Sequence, residues 1–279
     1  MCEVLGVSRS GYYNWINREP SKQQKRKEKL QKHIKQLFDK YDQLYGSPRI
    51  TRELHKMGFT VTERTVSNYM QEMGLRAIPK EKFVVTTDSK HDNEVYPNHL
   101  NRNFNAEAPN QIWATDITYI WTSEGWLYLA VIMDLFSRRI VGWDMDHSLS
   151  KKIALTALER ALTLRNPSDD LLHHSDRGSQ YTSNEYINLL KENNMKISMS
   201  NKGDCFDNAC VESFFATLKK ECVYRNNFST REEAKLTVWK YISGFYNNKR
   251  SHSYLDYVSP NEFEEAHFDS LKEKDLDVA

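Results

Sequence analysis

Four cysteines, at positions 2, 205, 210 and 222, are scattered too unevenly through 279 residues for a disulfide framework. No CxxC pair and no His-x3-His followed by CxxC occurs, so the N-terminal region is expected to fold without zinc. No apolar run approaches the roughly 20 residues of a membrane span. Mean hydropathy is −0.73. The first residues lack a basic segment followed by an apolar one, so no signal peptide is expected. Together these absences predict a soluble, cytoplasmic protein with reduced thiols and no membrane partner. Glycine and proline are sparse, at 10 and 7 residues, and no internal repeat, low-complexity tract or sustained heptad run is present.

Net charge is also nearly absent, at +1. Its distribution is uneven. Residues 1–90 hold 18 Lys and Arg against 10 Asp and Glu, and the remainder is correspondingly acidic. A basic front end favours an anionic partner, nucleic acid first, and predicts salt-sensitive DNA binding, although a solvated helical surface has the same count.

Residues 1–76 read as helical. Residues 1–17 suggest two short helices around a turn, with Ser8 as N-cap and aromatics following at helical spacing. Residues 21–42 form a basic helix with Leu30, Ile34 and Leu37 on one face. Ser47-Pro48 opens a helix that Met57-Gly58 ends. Thr62 caps another, which turns Val66, Tyr69, Met70 and Met73 inward and Arg64, Ser67 and Asn68 outward. This region has the size of a helix-turn-helix DNA-binding unit, with Arg49 and Arg64 as candidate DNA contacts. Residues 77–109, rich in Asn with Pro97 and Pro109, read as a linker.

From residue 110 the pattern becomes α/β. Strands are predicted at Ile112–Trp121, Trp126–Phe136 and Arg139–Met145, a helix at 150–165, a strand at Leu171–Ser175, a helix at Asn184–Asn193, a strand at Lys196–Ser200 and a helix at Cys210–Cys222. The order βββαβαβα matches a ribonuclease-H-like core over 110–225, a mixed five-stranded sheet with flanking helices. Residues 226–279 form a helical extension with a frayed acidic tail after about 268.

Three acids stand out. Asp116 lies mid-strand in a β-favouring run, where an unpaired carboxylate is costly unless a cation meets it. Asp176 directly follows a strand, at the end where α/β folds place sites. Glu212 begins a helix, separated from Asp176 by 35 residues, and Lys219 shares its face two turns on, placed to reach DNA phosphates. Asn208 precedes that helix as an N-cap or polar contact. Phosphodiester chemistry needs an activated oxygen nucleophile and a stabilised leaving oxygen. Two Mg2+ ions about 3.5–4 Å apart, held by three carboxylates, supply both. Each residue alone is ordinarily a solvated side chain, and Asp134, Asp144, Asp146, Asp204 and Asp207 compete for the role.

The words around these acids are more specific than their spacing. Trp113-Ala-Thr-Asp-Ile-Thr-Tyr119, Met133-Asp-Leu-Phe-Ser-Arg-Arg-Ile-Val-Gly-Trp143, His174-Ser-Asp-Arg-Gly-Ser-Gln-Tyr181, Glu212-Ser-Phe-Phe-Ala-Thr-Leu-Lys219 and Tyr246-Asn-Asn-Lys-Arg-Ser-His252 resemble the DDE transposase and retroviral-integrase superfamily. Within it they are similar to IS3-family insertion-sequence transposases, second-frame product, and Tyr45-Gly-Ser-Pro-Arg-Ile50 resembles the helix-turn-helix element of that family. The resemblance implies Asp116, Asp176 and Glu212 as catalytic ligands of Mg2+, with Mn2+ able to substitute. It implies 3′-end cleavage and strand transfer without a covalent protein–DNA intermediate. It also implies double-stranded DNA as partner, a homo-oligomer on DNA, a first-frame product as a further partner, and a nucleoid location. His174, Arg177, Gly178, Gln180 and Asn208 are implied as helpers that position DNA or metal-bound water, His174 having strand-end packing as its bland alternative. The Arg250 and His252 segment is left between DNA contact and packing. A catalytically silent, transposase-derived DNA-binding regulator and a plain nuclease are the competing functions.

Overall fold

The structure is a computed structural model describing residues 2, 6–17, 19–77, 94–201 and 205–277, with side chains omitted at 205, 206 and 274–277. The chain divides into two compact units, Met1–Pro79 and Lys80–Ala279.

In the first unit α1 spans Arg9–Ile16, α2 Lys22–Lys40, α3 Ser47–Lys56 and α4 Glu63–Glu72. Ser8 caps α1 through Gly11 N at 3.0 Å, and Thr62 caps α4 through Thr65 N at 3.3 Å. The predicted helix before α1 falls partly on residues 3–5, outside the described residues. Leu30, Ile34, Leu37 and Phe38 of α2 meet Ile50 and Leu54 of α3 and Val66 and Met70 of α4 in one small core. Gly58 and Gly74 take left-handed φ of +83° and +68° after α3 and α4, which releases the chain from each helix. Arg64, Ser67 and Asn68 are exposed on α4 as predicted. Arg49 is half-buried, its guanidinium 5.3 Å from the Tyr45 ring centre.

The second unit is a five-stranded sheet in the order β3-β2-β1-β4-β5. Its strands are β1 Ile112–Thr122, β2 Gly125–Asp134, β3 Ile140–Asp146, β4 Leu172–Ser175 and β5 Lys196–Met199. β1, β2 and β3 are antiparallel, while β4 and β5 run parallel to β1. This is the ribonuclease-H-like arrangement expected from the element order. Helix α5 (Lys151–Arg165) crosses from β3 to β4 and α6 (Asn184–Glu192) from β4 to β5. Helix α7 spans Ala209–Glu221, α8 Arg231–Trp239 and α9 Pro260–Asp277.

Alternation along β2 sends Leu127, Leu129, Val131 and Met133 to a cluster with α7 and the segment after it, and Ala130 and Ile132 to a cluster with α5 and α6. Gly142 of β3 admits α5 closely: a Cβ there would lie 2.3 Å from the Ala157 carbonyl. Any side chain at 142 would push the helix off the sheet.

Two parts of the chain differ from expectation. Residues 94–109 carry no helix or strand, but they are not a loose linker. His99 and Leu100 amides both donate to Ser198 Oγ, at 2.9 and 3.2 Å, and the Leu100 side chain enters the core. The segment past 225 is also part of the core. Phe228, Ala234 and Val238 pack with α7, and α8 continues as a π-helix over Lys240–Tyr246 that adds Tyr241, Ile242 and Tyr246. The acidic tail is helical through Asp277 rather than frayed after 268, with Lys272 paired to Asp269 one turn back.

Candidate active site

Strand register brings the first two acids together. β1 and β4 pair through Ile112–Leu172, Trp113–His173 and Ala114–His174. Two further residues along each parallel strand place Asp116 beside Asp176, just where β4 ends and the crevice between the strands opens. Asp176 is held by its own turn, with Oδ1 accepting from Gly178 N at 2.8 Å. A Cβ at Gly178 would sit 3.0 Å from that oxygen, so close approach explains this glycine. Asp116 Oδ1 accepts from Ile117 N at 2.7 Å.

The third acid arrives on α7. Asn208, directly before this helix, makes no capping hydrogen bond with its side chain; its buried Nδ2 donates to the Thr115 carbonyl at 3.0 Å. The residue beside Asp116 is thereby tied to the start of the helix that carries Glu212 in its first turn. Asn208→Ala removes this tie in a buried setting and is expected to cost about 1–3 kcal/mol. Its larger effect should fall on activity. Thermal melts and turnover measured together check this: equal proportional loss in both would mean that Asn208 only stabilises.

The electrostatics fit a cation site. Burial drives Asp116 well above the usual carboxylate range, and the charges of Asp176 and Glu212 push it further; the Ile117 amide and Lys219 oppose them. Partial burial lifts Glu212. Lys219 is only 3% exposed, with Nζ 4.6 Å from the Tyr119 ring centre. Burial lowers it to about 8 despite the attraction of Asp116. Among the described residues no three His, Cys, Asp or Glu side chains already close around an ion position. The donor set nonetheless suits Mg2+: hard carboxylate oxygens whose mutual repulsion a divalent ion would relieve.

The competing acids are occupied elsewhere. Asp134 is buried and accepts from the Asn110 and Phe136 amides at 2.7 and 2.9 Å, with burial raising its pKa to about 6. Asp144 pairs with Arg160 at 2.8 Å, and Asp146 with His147 at 2.6 Å. Asp207 accepts from Asn98, Asn201 and Arg102. Asp204 lies outside the described residues.

The neighbours of Asp176 divide. His174 is fully buried, with ring nitrogens 2.9 Å from Ser198 Oγ and 3.2 Å from Ser200 Oγ, and burial lowers it to about 4. A neutral histidine enclosed in this way supports strand-end packing over DNA contact. Arg177 donates through Nε to the Ser200 carbonyl at 2.7 Å and is partly exposed. Arg250 packs: its guanidinium makes two 2.7 Å bonds to Glu221, which also accepts from Tyr241 at 2.7 Å. Pairings of this kind depend on long-range contacts, and no local sequence signal announces them. The same holds for buried Glu264, which accepts from Ser137, Arg139 and Arg165.

Two aspartates lie at the end of a parallel strand pair, a helix-borne glutamate acts electrostatically on the first of them, and the sheet that carries them is ribonuclease-H-like. Comparison with known proteins agrees: integrase core domains match residues 106–205 and 212–274, and an HTH-like domain matches 25–83. The transposase InsF of insertion sequence IS3A from Escherichia coli (strain K12) is 43% identical over 266 residues, 95% of this chain and 92% of that protein. A 31 kDa protein of insertion element IS600 from Shigella sonnei is 43% identical over 95% of this chain and 97% of its own length. The chain belongs to the IS3-family insertion-sequence transposases. Among solved structures, the simian T-cell lymphotropic virus intasome aligns at 17% identity and TM-score 0.49, covering 83% of this chain and 74% of that one. The HTLV-2 integrase catalytic core in complex with magnesium aligns at 16% identity and TM-score 0.45, covering 57% and 99%.

Proposed function

We propose that this transposase cleaves the 3′ ends of an insertion sequence and joins each freed 3′-hydroxyl to a new phosphodiester, using Asp116, Asp176 and Glu212 as its acidic centre. The observation that carries the assignment is the β1–β4 register, which projects Asp116 to Asp176, together with the Asn208–Thr115 tie that delivers Glu212. The three carboxylates would hold two Mg2+ ions, with Mn2+ able to replace them. Ions bound there would neutralise the phosphate and favour the ionised form of the attacking water or hydroxyl. Asp116, which feels the charge of both other acids, would be one of the residues that hold the ions. Gly178 N–H orients Asp176, and Lys219 balances the charge of Asp116 from the side of Tyr119. No nucleophilic side chain is required. Tyr181 is buried, where it accepts a 3.2 Å hydrogen bond from Thr115 Oγ1.

The first unit would hold the DNA ends, with Arg64 exposed on α4 for phosphate or base contact and the lysines of α2 and Arg49 adding charge. Joining two ends calls for at least two copies on DNA, and a first-frame product is a natural further partner. No helix among the described residues is long and apolar enough to cross a membrane, and a nucleoid location follows from the substrate. A silent regulator would have no use for three acids converging beyond a strand end.

A strand-transfer assay with labelled element-end duplex and Mg2+ tests the reading. Wild type is expected to give longer, joined products, and Glu212→Gln none. Cleavage without joining in wild type would favour a nuclease, and undiminished joining by the variant would remove Glu212 from the centre. Binding of the same duplex should weaken steeply between 50 and 200 mM salt, with a log–log slope of roughly −0.9 per phosphate neutralised. A flat salt profile would count against residues 1–90 as the phosphate-contacting surface.

A further inference from the structure

Beyond Asp116, β1 has no β4 partner, because β4 pairs it only over Ile112–Ala114. The outer part of β1 lies against β2 alone, and register sets Trp121 opposite Trp126 at the end of this ribbon. The Trp126 ring meets Trp121 edge-on at 4.8 Å and Tyr119 edge-on at 5.1 Å. These rings, with Tyr224 and Asn227 from the segment after α7, line a cleft of about 740 Å3 into which Lys219 also faces. Trp121, Trp126 and Tyr224 are 59%, 43% and 58% exposed. No carboxylate is among the described residues that line the cleft.

Packing does not require this concentration of exposed rings, since the cores on both faces of the sheet are filled by other side chains. Its chemistry selects an occupant with a flat π-face and an attached negative charge. Lys219 links the cleft to Asp116: it forms part of the cleft wall, lies over Tyr119 and acts electrostatically on Asp116. Along a strand rising about 3.4 Å per residue, Tyr119 lies roughly 10 Å and Trp121 roughly 17 Å beyond Asp116. At about 3.4 Å per base step, that distance equals about three to five nucleotides of the strand whose phosphate lies at the acids.

We propose that this cleft takes an unpaired nucleobase of the DNA near the reacting phosphate, stacked on Trp121 with Trp126 and Tyr224 beside it, and so holds the element end melted. The inference rests on the acid centre being the place where DNA reacts. Stacking on an aromatic side chain is sequence-tolerant, so the cleft would recognise an unpaired base of any identity.

The test uses the full chain with EDTA present, so that DNA binds without being cut. Element-end duplexes carry a block of three mismatched pairs, moved stepwise across the end. At one block position wild type is expected to bind about tenfold more tightly than to the fully paired duplex, the size of one stacked base. Trp121→Ala should abolish this preference, and Trp121→Phe should keep most of it. 5-Iodouracil placed in the favoured block should photocrosslink to Trp121, Trp126 or Tyr224. A preference unchanged in Trp121→Ala, no preferred block in wild type, or crosslinks confined to other residues would each overturn the proposal. Failure here is distinguishable from failure of the acid-centre reading. If Glu212→Gln abolishes joining while Trp121→Ala leaves the mismatch preference intact, only the cleft assignment falls. If Glu212→Gln still joins, the acid-centre reading falls first.

Discussion

Asp116→Asn should abolish strand transfer, by at least about 10³-fold, while element-end DNA still binds. A single preorganised electrostatic contact is typically worth about 10²–10³ in rate, and Asp116 feels the charge of both other acids. The same substitution should change stability in the opposite direction. Asp116 sits beside Asp176 and Glu212, and its pKa is raised well above the ordinary value. A carboxyl raised in the folded state contributes stability below its unfolded pKa of about 3.9, and that stability is lost as pH rises through the folded value. In metal-free protein the carboxyl therefore becomes a liability as pH rises through its folded value, and Asn removes it. The variant should melt higher than wild type in EDTA. Mg2+ should raise the melting temperature of wild type and leave the variant nearly unmoved, since only a ligand that binds the folded state stabilises it. Calorimetry with and without Mg2+ checks both signs. A variant that melts lower in EDTA would show that Asp116 is a structural acid.

The second large effect is expected at Glu221, the last residue of α7. Its carboxylate receives both 2.7 Å bonds from Arg250 and the Tyr241 hydroxyl, and all three residues are buried. Glu221→Ala leaves the Arg250 guanidinium enclosed without its partner. Breaking a buried pair from one side costs about 3–5 kcal/mol, enough to lower the melting point of this unit by on the order of 10 °C. Activity should fall with it, because α7 carries both Glu212 and Lys219 and this pair anchors its C-terminal end to the segment that packs against it. Replacing both partners by apolar residues, Glu221→Leu with Arg250→Met, should recover much of the loss, since neither charge is then stranded. A double variant as unstable as Glu221→Ala would mean that the pair contributes more than charge balance. An exposed DNA-contacting Arg250 would instead make Glu221→Ala nearly neutral in stability and weaken only DNA binding in Arg250→Ala.

The family resemblance and the residue pattern each pointed to the proposed acid centre for a local reason. Asp116 interrupts a β-favouring run, Asp176 follows a strand end and Glu212 begins a helix with Lys219 two turns on. Each placement depends on hydrogen-bonding periods of two or 3.6 residues that operate within a few positions. The strands and helices of the sheet accordingly fall within a residue or two of their predicted bounds. The same local logic misread residues 94–109, where abundant Asn and Pro suggest a linker. The binding partners of that segment, Ser198 and Asp207, lie about a hundred residues away.

By itself, then, the sequence determined the order of elements, the basic front end, the three acids and the family to which they belong, because these reside in short-range pattern and in distinctive local words. The tertiary structure alone decided which neighbours serve the centre and which serve the core. It withdrew His174 into the sheet between Ser198 and Ser200, chose for Asn208 a polar contact to β1 over a helix cap, buried Lys219 against Tyr119 and committed Arg250 to Glu221. The physical reason is common to all four. A polar side chain taken out of water must find a partner, and that partner is supplied by whichever strand or helix folding brings alongside, however distant it is in the chain.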